Sequence, residues 1–155
     1  MGRDRIILLS SAEDTALAGR IIGSALSPHS VLALSGDLGT GKTTFVQGLA
    51  LGLGHDALIQ SPTFIYLNVY EGMILPLFHF DLYRMKTASD FLKLGFDEYF
   101  DKGGVCAIEW PEKITSLLMK NTLYLSFAHH PRGGRTLTLC GAFPEKLIES
   151  LSLCH

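Results

Sequence analysis

The sequence has little excess charge of either sign: 13 Lys and Arg stand against 15 Asp and Glu, a formal net charge of −2 over 155 residues. A basic stripe able to grip a phosphate backbone is therefore missing, and any work on nucleic acid would lean on a partner for most of the hold. Cysteine is scarce too. Cys106, Cys140 and Cys154 are an odd number with no CxxC spacing, which argues against a disulfide framework or zinc site and for a reduced protein. No apolar run approaches the roughly 20 residues of a membrane span. The apolar stretch near the N-terminus has only four residues before Glu13 and Asp14, too short for a signal peptide. Ile6 stands where a myristoylation signal after Gly2 needs Ser or Thr. The expectation is a soluble, cytoplasmic protein without a membrane partner.

Internal repeats, low-complexity tracts and charge blocks are also missing, so no domain boundary suggests itself. With 47% hydrophobic residues, the length suits one domain over 1–155 with a real core. A strand at about 5–9 leads to a helix that Ser11 can cap, with Asp14 three residues on and Leu17, Ile21 and Ile22 as its apolar stripe. A strand from Val31 to Ser35 enters a glycine-rich loop and then a helix from about Thr43 to Leu53. Extended stretches at about 63–70 and 73–80, joined by Glu71-Gly72, read as a hairpin. Thr87 to Asp90 opens a short helical region broken by Gly95. Residues 105–109 are a short apolar strand suited to a sheet centre, and Pro111 suits the first turn of a helix. "TLYLSF" and "TLTLC" bracket "AHHPRGGR" as another hairpin, and Pro144-Glu145 starts a last helix. Strands interleaved with helices predict a three-layer α/β, P-loop NTPase-like domain, its mixed sheet combining a parallel core with added antiparallel hairpins.

What is present is concentrated in one octapeptide. Residues 36–43, "GDLGTGKT", match G-x-x-x-x-G-K-[ST] between an apolar strand and a helical pattern, the setting this motif needs. Gly36, Gly39 and Gly41 let the backbone curl its N–H groups toward phosphate oxygens, and the helix start adds partial positive charge. Lys42 reaches the β- and γ-phosphates, and the Thr43 hydroxyl is placed to ligate Mg²⁺. Asp37, Leu38, Thr40 and Thr44 complete the expected nucleotide-contacting loop. No N-K-x-D run marks a guanine site, and Asp101 to Gly104 spells DxxG before a strand instead of after one. ATP is therefore favoured over GTP.

Mg²⁺ in such a site needs an acid at a neighbouring strand end. Glu109 after "VCAI" is the better metal candidate, because its strand is short and continuously apolar. Asp81 after "LPLFHF" could hold Mg²⁺ through a water, orient the attacking water, or be an ordinary turn acid. Trp110 reads either as core or as a ring beside the nucleotide. His129 and His130 have no third ligand at a suitable spacing and read as a solvated turn. His79, preceding Phe80-Asp81, is the only histidine well placed for function, though a lone histidine beside an apolar run is more often structural.

Taken together, "GDLGTGKTTF", "SPTF" at 61–64, "HFDLYR" at 79–84, "LGFDEYF" at 94–100 and "IEWPEK" at 108–113 resemble, in order and spacing, the TsaE (YjeE/YdiB) family of small bacterial P-loop ATPases. The resemblance covers nearly the whole chain and is loose after about residue 120. It implies a role in forming N6-threonylcarbamoyladenosine at position 37 of tRNA, with Mg²⁺-dependent ATP hydrolysis. The implied partners are the TsaD–TsaB heterodimer, with tRNA engaged only indirectly, and a monomer or weak oligomer alone. Carried over by residue, Lys42, Asp81 and Glu109 are the catalytic set, and Thr43, Glu109 and Asp81 the metal set. Thr63 of "SPTF" looks like part of a γ-phosphate switch, and Ser11, Trp110 and Arg135 are further nucleotide-site residues. Tyr83 and Arg84 are partner-facing candidates. Two alternatives stay open from the residues alone: a small-molecule kinase, which the six scattered arginines disfavour, and a nucleotide-gated docking module.

Overall fold

The computed structural model describes residues 4–55, 66–71, 74–141 and 143–151. Seven strands form one sheet: β1 (Arg5–Leu9), β2 (Val31–Ser35), β3 (Leu67–Tyr70), β4 (Leu77–Asp81), β5 (Val105–Glu109), β6 (Leu123–His129) and β7 (Arg135–Cys140), in the order β1-β7-β6-β2-β5-β4-β3. The four central strands, β6, β2, β5 and β4, run parallel. Antiparallel β7 and β1 extend one side, and antiparallel β3 closes the other.

Alternation along the central strands sorts their side chains into two cores. Leu32, Leu34, Val105, Ala107 and Leu77 face α1 (Ala12–Ala25), α2 (Lys42–Gly52) and α4 (Glu145–Leu151). Val31, Cys106, Ile108, Phe78 and Phe80 face α3 (Ala88–Lys93) and two 3-10 helices at Phe96–Asp101 and Pro111–Leu117. That is the three-layer arrangement expected, with β2 and β5 buried on both faces as parallel strands require. Phe80 anchors the second core, its ring 5.5, 5.4 and 6.0 Å from those of Phe91, Phe96 and Tyr99. Burying a ring of this size stabilises by about 1.5–3 kcal/mol.

The predicted hairpin pairs Leu67 with Phe80 through Tyr70 with Leu77; its earlier half, from residue 63 to 65, and its turn at Gly72 lie outside the described residues. Helix α1 departs from the expected stripe. Ile22 is buried, but Leu17 is 42% exposed, and the buried face is Thr15, Ala18, Gly19, Ile22 and Gly23. The reason is the closeness of α2. A Cβ on Gly19 would lie 2.2 Å from the Phe45 carbonyl oxygen, and one on Gly48 would lie 1.9 Å from that of Ala16. Gly19/Gly23 on one helix and Gly48/Gly52 on the other, each four apart, make flat faces that let the backbones touch. This contact fixes the helix that begins with Lys42.

Candidate functional site

The loop between β2 and α2 turns on three glycines with left-handed backbone: Gly36 (φ 140°), Gly39 (φ 79°) and Gly41 (φ 99°). With the N-terminus of α2 it borders a cavity of about 520 Å³. Leu38, Gly39, Gly41, Lys42, Thr43 and Thr44 line it from the loop and helix, and Asp81, Glu109 and Trp110 from the ends of β4 and β5. Ser11 and Thr15 enter from α1, and Arg135 with Gly134 from the β6–β7 turn. Gly36, Asp37 and Thr40, expected among the contacting residues, do not line it. The Thr40 hydroxyl is turned back to donate to the Asp37 carbonyl at 2.6 Å, and the Gly36 carbonyl accepts from Lys42. These three hold the loop's shape from behind. Thr63 lies outside the described residues.

Parallel register explains why two acids meet here. Asp81 and Glu109 are directly opposite on β4 and β5, both on the α2 face of the sheet and both at a strand C-terminal end, where ligand crevices of parallel sheets form. They are held differently. The Asp81 Oδ1 accepts from the Tyr83 backbone N–H at 3.1 Å. The Glu109 Oε2 accepts from the His79 ring Nε2 at 2.6 Å, and both side chains are buried. Leu82 N–H donates to the Glu109 carbonyl at 3.1 Å, joining the two strand ends beyond the ladder.

Lys42 is 4% exposed. Its Nζ donates to the Gly36 carbonyl at 2.5 Å and lies 3.9 Å from the centre of the Trp110 ring, a cation–π contact. Burial pushes its pKa below the ordinary lysine value, against the opposing pull of Glu109, Asp81, Glu112 and Asp37. Trp110 is fixed in turn. Its backbone is left-handed (φ 61°, ψ 52°), its N–H donates to the Leu34 carbonyl at 3.3 Å, and Tyr83 packs edge-on at 4.9 Å. A non-glycine residue in that region carries about 1–2 kcal/mol of strain, which neighbouring contacts must hold. The single tryptophan therefore borders both the second core and the cavity.

Arg135 starts β7 opposite Leu9 and reaches the loop, donating to the Gly39 carbonyl at 3.0 Å and to the Gly134 carbonyl at 3.1 Å. Ser11 caps α1 by accepting from Asp14 N–H, while Asp14 Oδ2 accepts from Ser10 N–H, each at 3.1 Å. Thr15 was not foreseen, although it lies one helical turn beyond Ser11, the spacing that shares a helix face. Gly134 was missed because only the folded hairpin brings it to Leu9. The assembly puts a glycine-rich loop, a helix N-terminus and two cations around a space that two carboxylates also line. That chemistry suits a polyanion accompanied by a divalent cation.

The model of the family described as threonylcarbamoyl adenosine biosynthesis protein TsaE matches residues 9–137. A protein of Treponema pallidum named tRNA threonylcarbamoyladenosine biosynthesis protein TsaE is 45% identical over 129 residues, 83% of this chain and 95% of the relative. The protein of the same name from Bacillus subtilis is 40% identical over 142 residues, 90% and 89% of the two chains. The crystal structure of Bacillus subtilis YdiB superposes with a TM-score of 0.81 at 34% identity, over 98% of this chain and 96% of that one. With sequence and fold agreeing over most of its length, the chain belongs to the TsaE family.

Proposed function

We propose that the chain is a Mg²⁺-dependent ATPase of tRNA N6-threonylcarbamoyladenosine formation, binding ATP in the cavity and acting on a TsaD–TsaB heterodimer so that it turns over. One observation carries the nucleotide part: the glycine loop with Lys42 and Thr43 faces two strand-end carboxylates, Asp81 and Glu109, across one cavity. Its 520 Å³ lies within the ordinary range of ligand sites. The pathway rests on family membership and on the names its relatives carry. A net charge of −2 suits a subunit whose partners carry the tRNA.

In this reading the loop N–H groups and the α2 terminus bind the phosphates, and Lys42 exchanges the Trp110 ring face for a phosphate oxygen. Arg135, tied to the Gly39 carbonyl, stiffens the loop and adds positive charge at its rim. The Thr43 hydroxyl and the Glu109 carboxylate would hold Mg²⁺, which when bound neutralises charge on the β- and γ-phosphate oxygens. Asp81, held by the Tyr83 N–H, orients water in the cavity. Calorimetric titration with ATP tests the site. Lys42→Ala should weaken binding roughly 10- to 100-fold, the worth of about 1.5–3 kcal/mol of charge-assisted hydrogen bonding. Unchanged affinity in a folded Lys42→Ala variant would contradict the site.

A further inference from the structure

His79 is the most enclosed polar residue near the cavity, with no exposed surface, yet it does not line it. It sits on β4 two residues before Asp81, opposite Ala107 on β5, so the diagonal across the parallel pair brings its ring to Glu109. Nε2 lies 2.6 Å from Oε2. Because a carboxylate oxygen only accepts, a contact this short requires the proton on Nε2. Nδ1 has no partner among the described residues. An aliphatic side chain would suit the same buried position, opposite Ala107, without leaving a buried polar atom unpaired. What the imidazole adds is a single donor, and it is spent on Glu109.

We infer that His79 is a positioning residue for Glu109. Its Nε2–H fixes the carboxylate by Oε2, leaving Oε1 as the oxygen offered to whatever the cavity holds. Without that donor, Glu109 would face the carboxylate of Asp81, directly opposite on the neighbouring strand, and like-charge repulsion would spread it over several rotamers. The two acids are thus kept apart by separate donors, a buried ring for one and a backbone N–H for the other. A histidine behind a carboxylate that binds a cation is a familiar way of setting ligand orientation, and losing such a group costs about 10- to 100-fold in metal affinity. The inference rests on the Mg²⁺–nucleotide reading of the site only through what Glu109 is positioned for.

The test is calorimetric ADP binding with and without MgCl₂, for wild type, His79→Leu and His79→Gln. Tightening of ADP by Mg²⁺ in wild type is required by the site reading, and no tightening would sink that reading alone. Positioning predicts that His79→Leu loses about tenfold of the Mg²⁺ effect while Mg²⁺-free ADP affinity stays within about twofold. His79→Gln, whose side-chain N–H extends about as far as Nε2, should recover most of the loss. A folded His79→Leu with the full Mg²⁺ effect overturns the proposal. If His79→Leu does not fold, His79→Asn, whose amide stops short of Glu109, replaces it with the same expectations. Thermal melting of the His79 variant, of Glu109→Ala and of the double variant supplies a readout that needs neither ligand. Coupled side chains give a double loss smaller than the two single losses together, and strictly additive losses also overturn the proposal.

Discussion

Lys42 is a buried ammonium whose visible partners are a carbonyl oxygen and an indole face, neither of which carries a full negative charge. Burial lowers its pKa from the usual 10.5 despite Glu109 and Asp81 nearby. The folded chain therefore sheds this proton earlier than the unfolded chain as pH rises. Between the lowered value and 10.5 the unfolded state holds more protons, so this group's share of stability increases with pH. Below that window the ammonium is charged in both states and its burial is a net cost. Lys42→Met keeps the stem and removes the charge, so it should melt about 2–4 °C higher at neutral pH, the shift that roughly 1 kcal/mol produces in a chain of this size. It should also lose the alkaline rise; scanning calorimetry at several pH values reads both. An equal or lower melting temperature at neutral pH would show that the site tolerates the charge without cost. Such a lysine was legible in the sequence because the octapeptide around it is contiguous. The partner of Glu109 was not, since His79 lies 30 residues away and meets it only through the register of β4 and β5.

At the scale of elements, the pair α1–α2 decides how firmly the site is held. The helices touch through glycines, so adding a single methyl group has consequences set by what it meets. On Gly48 it would meet the Ala16 backbone at 1.9 Å, which cannot yield without parting the helices. Gly48→Ala should cost about 3 kcal/mol, the upper part of the overpacking range, and shift α2 and Lys42 with it. Gly39 is the control: a Cβ there meets nothing within 4 Å, and only its positive φ resists. Gly39→Ala should cost about 1–2 kcal/mol. Urea unfolding of both variants checks the order, and a Gly48→Ala variant as stable as Gly39→Ala would contradict the close contact. The element plan itself was largely legible: the apolar run of β5, Thr87 capping α3 and Gly95 ending it all appear where composition placed them. The buried face of α1 was not, because hydrophobic periodicity weights large residues and this face uses small ones. Glycines four apart on both helices were the signal.

For the whole molecule, the sheet order does what no local segment could. It carries Arg135, near one end of the sequence, to the loop at Gly39 and sets Asp81 beside Glu109. In the proposed reading the loop motif marks where phosphates would sit, and the strand ends offer the acids, Asp81 and Glu109. Depth, by contrast, is a property of the closed fold: Ser11, Thr15, Gly134 and Trp110 become walls of one cavity only when α1, the β6–β7 turn and the end of β5 converge. Near-neutral charge and two carboxylates facing the glycine loop are what the proposed function asks of a subunit that turns over nucleotide and reaches tRNA through others. Mg²⁺-dependent ATP hydrolysis, measured for the chain alone and with the TsaD–TsaB pair, tests this most directly, with Glu109→Ala as the control. The account predicts slow hydrolysis alone, marked stimulation by the pair, and loss of that stimulation in Glu109→Ala. Hydrolysis unaffected by the pair, or fully retained in Glu109→Ala, would contradict it.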